Sequence, residues 1–223
     1  MRIIIVRHGE PDYQKDCLTG TGKIQAARAA QRLRGEGIEE IWSSTMGRAY
    51  ETAEATADLL GLPIRKLECM RELYWGSIDR PELYQDGHPW DTVDQMARSG
   101  VDLTDKDWRK GPYFCDNRVV ESVGIVEKGI DEWLASLGYE RNGSYYRHLK
   151  AEDKHRSIAL FCHGGSSSAM IGHILNLPFP YVCAMLHVEF TGITILRFER
   201  REGACTLPCL ELANDWKHIL EEG

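Results

Sequence analysis

Two histidines stand where an apolar run meets glycine, and side chains of this type can transfer a phosphoryl group. His8 lies in the segment VRHGE and His163 in the segment FCHGG. A neutral imidazole can act as a nucleophile near pH 7, although a single histidine more often has a hydrogen-bonded structural role. Two histidines in equivalent settings favour a shared chemical site.

The sequence also offers the charges that phosphoryl transfer needs. The oxygens of a transferring phosphoryl group carry negative charge, and the departing oxygen needs an acid. Arg7 adjoins His8, and Arg48 lies in the segment SSTMGRAYETA, where its planar guanidinium could bind two oxygens. Glu72, in the segment RELYWG, is the candidate acid, because aromatic surroundings favour an uncharged carboxyl group. Backbone N–H groups near Gly164 are expected at a helix N-terminus, which favours anion binding.

These candidates require strands and helices that bring them to one edge of a sheet. The hydrophobic pattern predicts strands over residues 2–6, 38–44, 64–70 and 157–162, and a hairpin from segments 189–200 and 204–212. Helices are predicted over residues 18–33, 46–60 and 122–137, with a further helix that ends at residue 175. This alternation predicts an α/β fold of three layers, with helices on both faces of a mostly parallel sheet. Ligands bind such sheets at the carboxyl ends of strands, which is where His8 and His163 fall.

The regular alternation of strands and helices stops near Arg80 and resumes near Glu121. The stretch between them is rich in aromatic and acidic residues, more so than a plain linker requires. We therefore predict a single domain over residues 1–223, with a helical or irregular cap insertion at about 78–120 that lies over the site.

Three side chains of this insertion bear on its role. Trp90 and Trp108 are expected to pack the cap rather than to stack on a ligand. His88 could reach a substrate from the cap. The acidic balance of the segment is typical of a solvated face, and as a functional signal it weakly disfavours highly anionic substrates.

Composition limits the classes of partner. The chain of 223 residues has 34 acidic and 27 basic residues, so its formal charge of −7 disfavours a nucleic-acid partner. Its seven cysteines form no CxxC pair, which argues against a disulfide framework or a zinc ribbon. The first apolar run is too short for a signal peptide or a membrane span. We expect a cytoplasmic protein with no membrane partner.

Four motifs occur together in an order that resembles the histidine phosphatase superfamily, also called the phosphoglycerate mutase family. They are the RHG triplet, the segment that carries Arg48, the E-x-x-x-G segment that begins at Glu72, and the late strand that ends in HGG. The triplet alone is a weak signal, whereas the ordered set is specific. The resemblance covers most of the chain, apart from the insertion and the C-terminal tail.

The resemblance implies a mechanism and a set of roles. His8 would attack phosphorus and form a phosphohistidine, while Glu72 would protonate the departing alkoxide and later activate water. Arg7, Arg48 and His163 would bind the phosphoryl oxygens, so that neither a metal ion nor a cofactor is expected. His8 must attack as a neutral imidazole, which requires one ring nitrogen to donate to an acceptor, expected to be a nearby backbone carbonyl.

Departures from the mutase pattern favour hydrolysis. Mutases typically follow RHGE with a serine, an asparagine and a longer loop, whereas this chain reads RHGEPDYQKDCLTGTG, with Gln14 in place of the asparagine. The insertion also lacks the consecutive arginines that mutases use for a substrate carboxylate. We expect a metal-independent phosphatase for a small phosphomonoester, with a mutase or a non-catalytic phospho-ligand-binding protein as alternatives. Sugar phosphates, nucleotides, phosphorylated carboxylic acids and phosphoproteins all stay open as substrates.

The C-terminal part raises a further question of assembly. The predicted edge strand there could pair with a second copy and give a homodimer, or it could be covered by the tail around Trp216. Earlier in the chain, the three serines at 166–168 are expected to cap the helix that follows His163.

Overall fold

The computed structural model describes residues 1–81, 84–149, 156–198 and 201–220. The strands are β1 (Arg2–Arg7), β2 (Pro11–Asp12), β3 (Cys17–Leu18), β4 (Ile38–Ser43), β5 (Ile64–Lys66), β6 (Tyr139–Asn142), β7 (Tyr145–His148), β8 (Ser157–Cys162), β9 (Ile193–Arg197), β10 (Cys205–Thr206) and β11 (Cys209–Asp215). The helices are α1 (Gly20–Leu33), α2 (Gly47–Leu60), α3 (Pro89–Arg98), α4 (Val119–Ser136), α5 (Gly164–Leu175) and α6 (Phe179–Met185). Short 3-10 turns cover Glu68–Met70, Trp108–Lys110 and Lys217–Ile219. Within these described ranges, no helix has both the length and the apolar character needed to cross a lipid bilayer.

The central sheet has six strands in the order β11-β9-β1-β8-β4-β5. Strands β1, β8, β4 and β5 run parallel, while at one side β9 pairs antiparallel with β1 and β11 pairs antiparallel with β9. The predicted α/β class with a mostly parallel sheet is therefore confirmed. Because Arg7 of β1 lies opposite Cys162 of β8, His8 and His163 leave the same edge of the sheet side by side.

The two strands that carry the histidines are buried on both faces, as their unbroken apolar runs predict. Alternate side chains of β1 point to opposite faces and enter two separate cores. Ile3 and Ile5 join the core that includes α4 and α5, whereas Ile4 and Val6 join the core that includes α1 and α2. This division produces the three layers and fixes the position of the strand ends.

One predicted strand is shorter than expected. The segment 64–70 was predicted as a strand throughout, yet β5 ends at Lys66. Its neighbour β4 ends at Ser43, so the hydrogen-bonded ladder has no partner beyond that point. The chain instead forms the 3-10 turn Glu68–Met70, which buries Met70 in the core.

The predicted C-terminal hairpin is confirmed in part. Strand β9 does pair with β11, but β10 joins β7 and β6 in a second sheet, and residues 199–200 of the predicted segment lie outside the described residues. The β6–β7 hairpin was not predicted, although Gly143-Ser144, the loop between the paired Asn142 and Tyr145, is a turn signal and Gly143 has a φ of 62°. Strand β11 is an edge of the central sheet, and its pairing in a homodimer stays a prediction.

The described part of the predicted insertion consists of α3, one 3-10 turn and irregular chain, while residues 82–83 lie outside it. Val93, Met96, Trp108 and Phe114 are buried in the larger core, which attaches this segment to the sheet and its helices. Trp108 therefore packs as expected. The extent of the domain over residues 1–223 and the cap boundaries stay predictions.

Candidate active site

His8 follows β1 and is buried, with 1% of its surface exposed. Its Nδ1 atom lies 2.7 Å from the backbone oxygen of Gly9. Because a carbonyl oxygen can only accept, Nδ1 carries the ring proton and Nε2 keeps its lone pair. The Nε atom of Arg48 donates toward this Nε2 atom at 3.4 Å. The ring thus has the neutral tautomer and the carbonyl partner that the sequence argument required.

The surroundings of His8 keep it uncharged. Burial lowers the pKa of His8 to about 3, and the positive charges of Arg7 and Arg48 act in the same direction. The hydrogen bond to Gly9 raises the pKa and only partly offsets these effects. At neutral pH the imidazole is therefore unprotonated at Nε2.

His163 follows β8 and begins α5, and its ring centroid is 5.1 Å from that of His8. The Nε2 atom lies 2.8 Å from the hydroxyl oxygen of Ser44, which also accepts the backbone N–H of Met46 at 3.3 Å. Burial and the nearby positive charges lower the pKa of His163 well below its ordinary value. The Nδ1 atom is buried and has no hydrogen-bond partner among the described residues.

Arg48 lies in the first turn of α2, with only 6% of its side chain exposed. Its Nη1 atom is 2.5 Å from one carboxylate oxygen of Asp16, and the other oxygen accepts the backbone N–H of Gly47 at 2.7 Å. The guanidinium also lies 5.4 Å from the ring centre of Tyr13. Asp16 therefore ties the arginine to the start of its own helix.

Arg7 ends β1, and its guanidinium is fixed on two sides. Its Nη1 atom donates to the backbone oxygen of Val188 at 2.5 Å, and its Cζ atom lies 4.4 Å above the ring of Phe190. The Nε atom is buried and, in the part of the chain that the structure describes, has no hydrogen-bond partner. This donor is free to bind an anion.

Glu72 follows the 3-10 turn rather than a strand, and backbone amides hold its carboxylate. It accepts N–H groups from Leu73 at 2.9 Å, Gly165 at 3.3 Å and Ser166 at 3.1 Å. Two of the amides at the α5 N-terminus therefore bind Glu72 and are not free for phosphate. A Cβ atom at Gly165 would lie 2.6 Å from Oε1 of Glu72, so only glycine allows this approach.

A cavity of about 810 Å³ joins the predicted residues. Arg7, Arg48, Glu72 and Gly164 line it, and the two histidines are buried next to these lining residues. The structure thus brings every predicted site residue to one end of the sheet. The aromatic surroundings expected near Glu72 are present along the cavity wall, although amides bind the carboxylate itself.

Three residues at the site were missed by the sequence argument. Ser44 contacts His163 and Asp16 holds Arg48, as described above. Thr52 accepts the backbone N–H of Gly9 at 3.0 Å and donates to the backbone oxygen of Arg48 at 2.7 Å. The position of Ser44 at the end of a predicted strand was a usable signal, whereas Asp16 lies in a polar loop with a φ of 51° that no pattern indicated.

Residues 3–209 match the family described as the histidine phosphatase superfamily (branch 1). The chain belongs to this superfamily. It is 36% identical to a probable phosphoglycerate mutase GpmB of Yersinia enterocolitica, over 98% of this chain and 95% of that protein. It is 24% identical to a putative phosphoserine phosphatase 2 of Hydrogenobacter thermophilus, over 89% of this chain and 90% of that protein.

Solved structures of this superfamily share the fold. A mycobacterial glucosyl-3-phosphoglycerate phosphatase with inorganic phosphate has a TM-score of 0.65 and 25% identity, covering 98% of this chain and 99% of that one. A phosphoserine phosphatase mutant from Entamoeba histolytica in complex with phosphoserine has a TM-score of 0.62 and 23% identity, with the same coverage. Superfamily membership and these relatives support phosphatase or mutase-like activity.

Proposed function

We propose that this chain is a phosphatase that hydrolyses a small phosphomonoester through a phosphohistidine on His8, without a metal ion. One observation carries the proposal: the lone pair of His8 Nε2 is in a site where Arg7 Nε and His163 Nδ1 are buried without partners among the described residues. An unsatisfied buried polar group costs about 1–3 kcal/mol, so a phosphoryl group that accepts from these two atoms would offset that cost. Donors around a nucleophile fit a phosphoryl group.

We assign Nδ1 of His163 as a donor. The hydroxyl oxygen of Ser44 accepts the amide of Met46, and in this assignment its own proton is donated to His163 Nε2, which lies 2.8 Å away. The neutral ring then carries its proton on Nδ1. In this tautomer the ring donates to a phosphoryl oxygen while remaining uncharged.

The reaction follows in two balanced steps. Nε2 of His8 attacks phosphorus, the bond from phosphorus to the alcohol oxygen breaks, and Glu72, which must enter this step protonated, gives that oxygen its proton. The phosphorylated ring is positively charged, and the Gly9 carbonyl stabilises its Nδ1 proton. Water then attacks phosphorus, Glu72 takes its proton, and Nε2 of His8 is restored as the leaving group. In both steps Arg7, Arg48 and His163 bind the oxygens that gain negative charge.

Substrate binding requires one exchange of partners. Arg48 Nε donates toward His8 Nε2 in the free site, so an entering phosphoryl group takes over this donor and exposes the lone pair.

The proposal further places the protein in the cytoplasm with a small phosphorylated substrate, and without a cofactor, nucleic-acid or membrane partner. The formal charge of −7 supports the exclusion of a nucleic-acid partner.

A mutase is the second candidate, because the 36% identical relative is named a probable phosphoglycerate mutase. A mutase must keep its phosphohistidine from water until a second acceptor arrives. Assay of phosphoglycerate isomerisation with an added bisphosphorylated cofactor separates the two activities. The complete set of His8, Arg7, Arg48, His163 and Glu72 argues against a non-catalytic binding protein.

The proposal is tested by phosphate release from p-nitrophenyl phosphate in the presence of EDTA. We expect the native protein to be active and His8→Ala to lose activity by about a thousandfold or more, because the nucleophile is absent. Exposed Arg98→Ala is the control for handling and folding. Mass spectrometry of the acid-labile phosphopeptide should locate the label on His8. Loss of native activity in EDTA, or full activity of His8→Ala, would contradict the proposal.

A further inference from the structure

The cavity beyond the phosphate end has an aromatic wall, defined here as Trp75, His88 and Trp90. We infer that this wall binds the alcohol part of the substrate, and that this part is a neutral group with an aromatic ring. The inference rests on the proposed function, because it names the substrate class of the same site. Phosphorylated amino acids and phosphoglycerates would then be poor substrates.

The rings of the wall contact one another in a continuous series. The ring centroids of Trp75 and His88 are 4.8 Å apart at 75°, and those of His88 and Trp90 are 5.4 Å apart at 39°. The outer atom Cη2 of Trp90 lies 3.9 Å from the point where a Cβ on Gly164 would stand. The wall therefore begins at the phosphate end, where the first ring of a bound alcohol would lie.

Charge in the cavity disfavours a second anionic group on the substrate. Arg7 and Arg48 are the two arginines among the described lining residues, which include no lysine. Both are held at the phosphate end by Val188 and Asp16. A substrate carboxylate further out would meet no arginine or lysine among these lining residues and would lose part of its hydration.

The size of the cavity points the same way. Its volume of about 810 Å³ is typical of pockets that enclose a drug-sized molecule, and a three-carbon acid would fill little of it. Aromatic rings that stack or meet edge to face gain binding free energy beyond that from burying their apolar area. A planar aromatic alcohol would occupy this volume, would need no positive charge from the protein and would pack against the aromatic wall.

The test compares phosphate release from four alkyl phosphomonoesters, so that the leaving oxygens are chemically alike. Benzyl phosphate has an aromatic ring, and cyclohexylmethyl phosphate has a saturated ring of similar size. Phosphoserine has charged amino and carboxylate groups, and methyl phosphate has no further group. We expect kcat/KM for benzyl phosphate to exceed that for phosphoserine by about tenfold or more. The benzyl ring can stack on the aromatic wall, whereas the carboxylate of phosphoserine finds no arginine or lysine there. Cyclohexylmethyl phosphate should fall between these two.

Variants of the wall show whether it causes the preference. Trp90→Leu and Trp75→Leu should each lower kcat/KM for benzyl phosphate about fivefold or more through KM, and lower it by more than they lower kcat/KM for methyl phosphate. Trp216→Leu, in the C-terminal tail away from the cavity, is the matched control. His88→Arg adds the missing cation and should raise kcat/KM for phosphoserine relative to benzyl phosphate.

The outcomes separate this inference from the proposed function. Equal or better hydrolysis of phosphoserine overturns the inference and leaves the phosphatase proposal standing. Equal hydrolysis of the benzyl and cyclohexylmethyl esters overturns its aromatic part. Should no ester be hydrolysed, the phosphatase proposal fails, and calorimetric binding of benzylphosphonate against 2-carboxyethylphosphonate decides whether the wall still selects a ring.

Discussion

At the scale of single residues, the chemistry depends on where two ring protons sit. The carbonyl of Gly9 fixes the proton of His8 on Nδ1, which leaves the lone pair on Nε2. In the proposed tautomer of His163 the hydroxyl of Ser44 donates to Nε2, which leaves the proton of that ring on Nδ1. One ring thus offers a lone pair and the other offers a donor. Both stay neutral because burial lowers each pKa.

Ser44→Ala tests the role of this hydroxyl as a positioning group. Without it, His163 can adopt the other tautomer and lose its donor toward phosphate, so kcat should fall about ten- to hundredfold. Inhibition by inorganic phosphate should weaken in parallel, and Ser44→Thr should restore much of the activity. Ser43→Ala removes a neighbouring hydroxyl that donates to a backbone oxygen instead, and it should retain most of the activity.

Sequence reasoning went furthest with residues at strand ends. His8, His163, Arg7 and Arg48 were found because glycine turns and a helix start mark positions where side chains face a cleft. The contacts that orient them depend on the meeting of distant segments, and Asp16 reaches Arg48 across 32 positions. Periodicity carries no information on such pairs.

At the scale of elements, the N-terminus of α5 holds the candidate acid in place. Its amides at Gly165 and Ser166 bind Glu72, and the missing side chain of Gly165 provides the space. A helix N-terminus stabilises negative charge, which here belongs to the protein itself. The acid is thereby kept beside the histidine that begins the same helix.

Gly165→Ala tests this arrangement. The added methyl group would lie 2.6 Å from Glu72 Oε1 and 3.1 Å from Leu73, so the carboxylate must move. We expect kcat to fall about ten- to hundredfold because a displacement of about 1 Å misplaces the acid. Gly124→Ala adds the same atom to α4, where nothing lies within 4 Å, and it should leave kcat unchanged. Equal activity of both variants would contradict the role of Glu72.

Element predictions succeeded where a helix or strand packs along its whole length. The strands β1 and β8 and the helices α1 and α2 follow their hydrophobic periods, because burial on the sheet decides them. The strand predicted over residues 64–70 is shorter in the structure because its neighbour β4 ends at Ser43 and offers no partner beyond it. The pairing of β10 differs from the prediction because β10 joins β7 in a second sheet. Such pairings are decided by tertiary contacts rather than by local pattern.

At the scale of the whole molecule, the two buried histidines link stability to pH. The ordinary histidine pKa of 6.5 applies to the unfolded chain, whereas His8 in the fold has a pKa of about 3. Below pH 6.5 the unfolded chain therefore binds protons that the folded chain does not, so the free energy of unfolding falls as pH drops toward 3. The slope that such a histidine contributes approaches about 1.4 kcal/mol per pH unit where its unfolded form is fully protonated and its folded form is not.

Urea unfolding between pH 7 and pH 5 measures this effect. The free energy of unfolding of the native protein should decrease toward pH 5, and His8→Ala should show a slope smaller by about 1 kcal/mol per pH unit, averaged over this range. Arg98→Ala, on the exposed face of α3, should keep the native slope. An unchanged slope in His8→Ala would mean that His8 is protonated in the fold.

The strand order β1-β8-β4 has a consequence for how the molecule is made. Until residues 157–162 arrive, β1 and β4 have no hydrogen bonds to each other, because the place between them belongs to β8. During synthesis His8 is therefore made long before His163, so the two histidines cannot come together until most of the chain exists. The site can act only after β8 inserts between β1 and β4. Pairing between segments so distant in sequence is a slow step in folding.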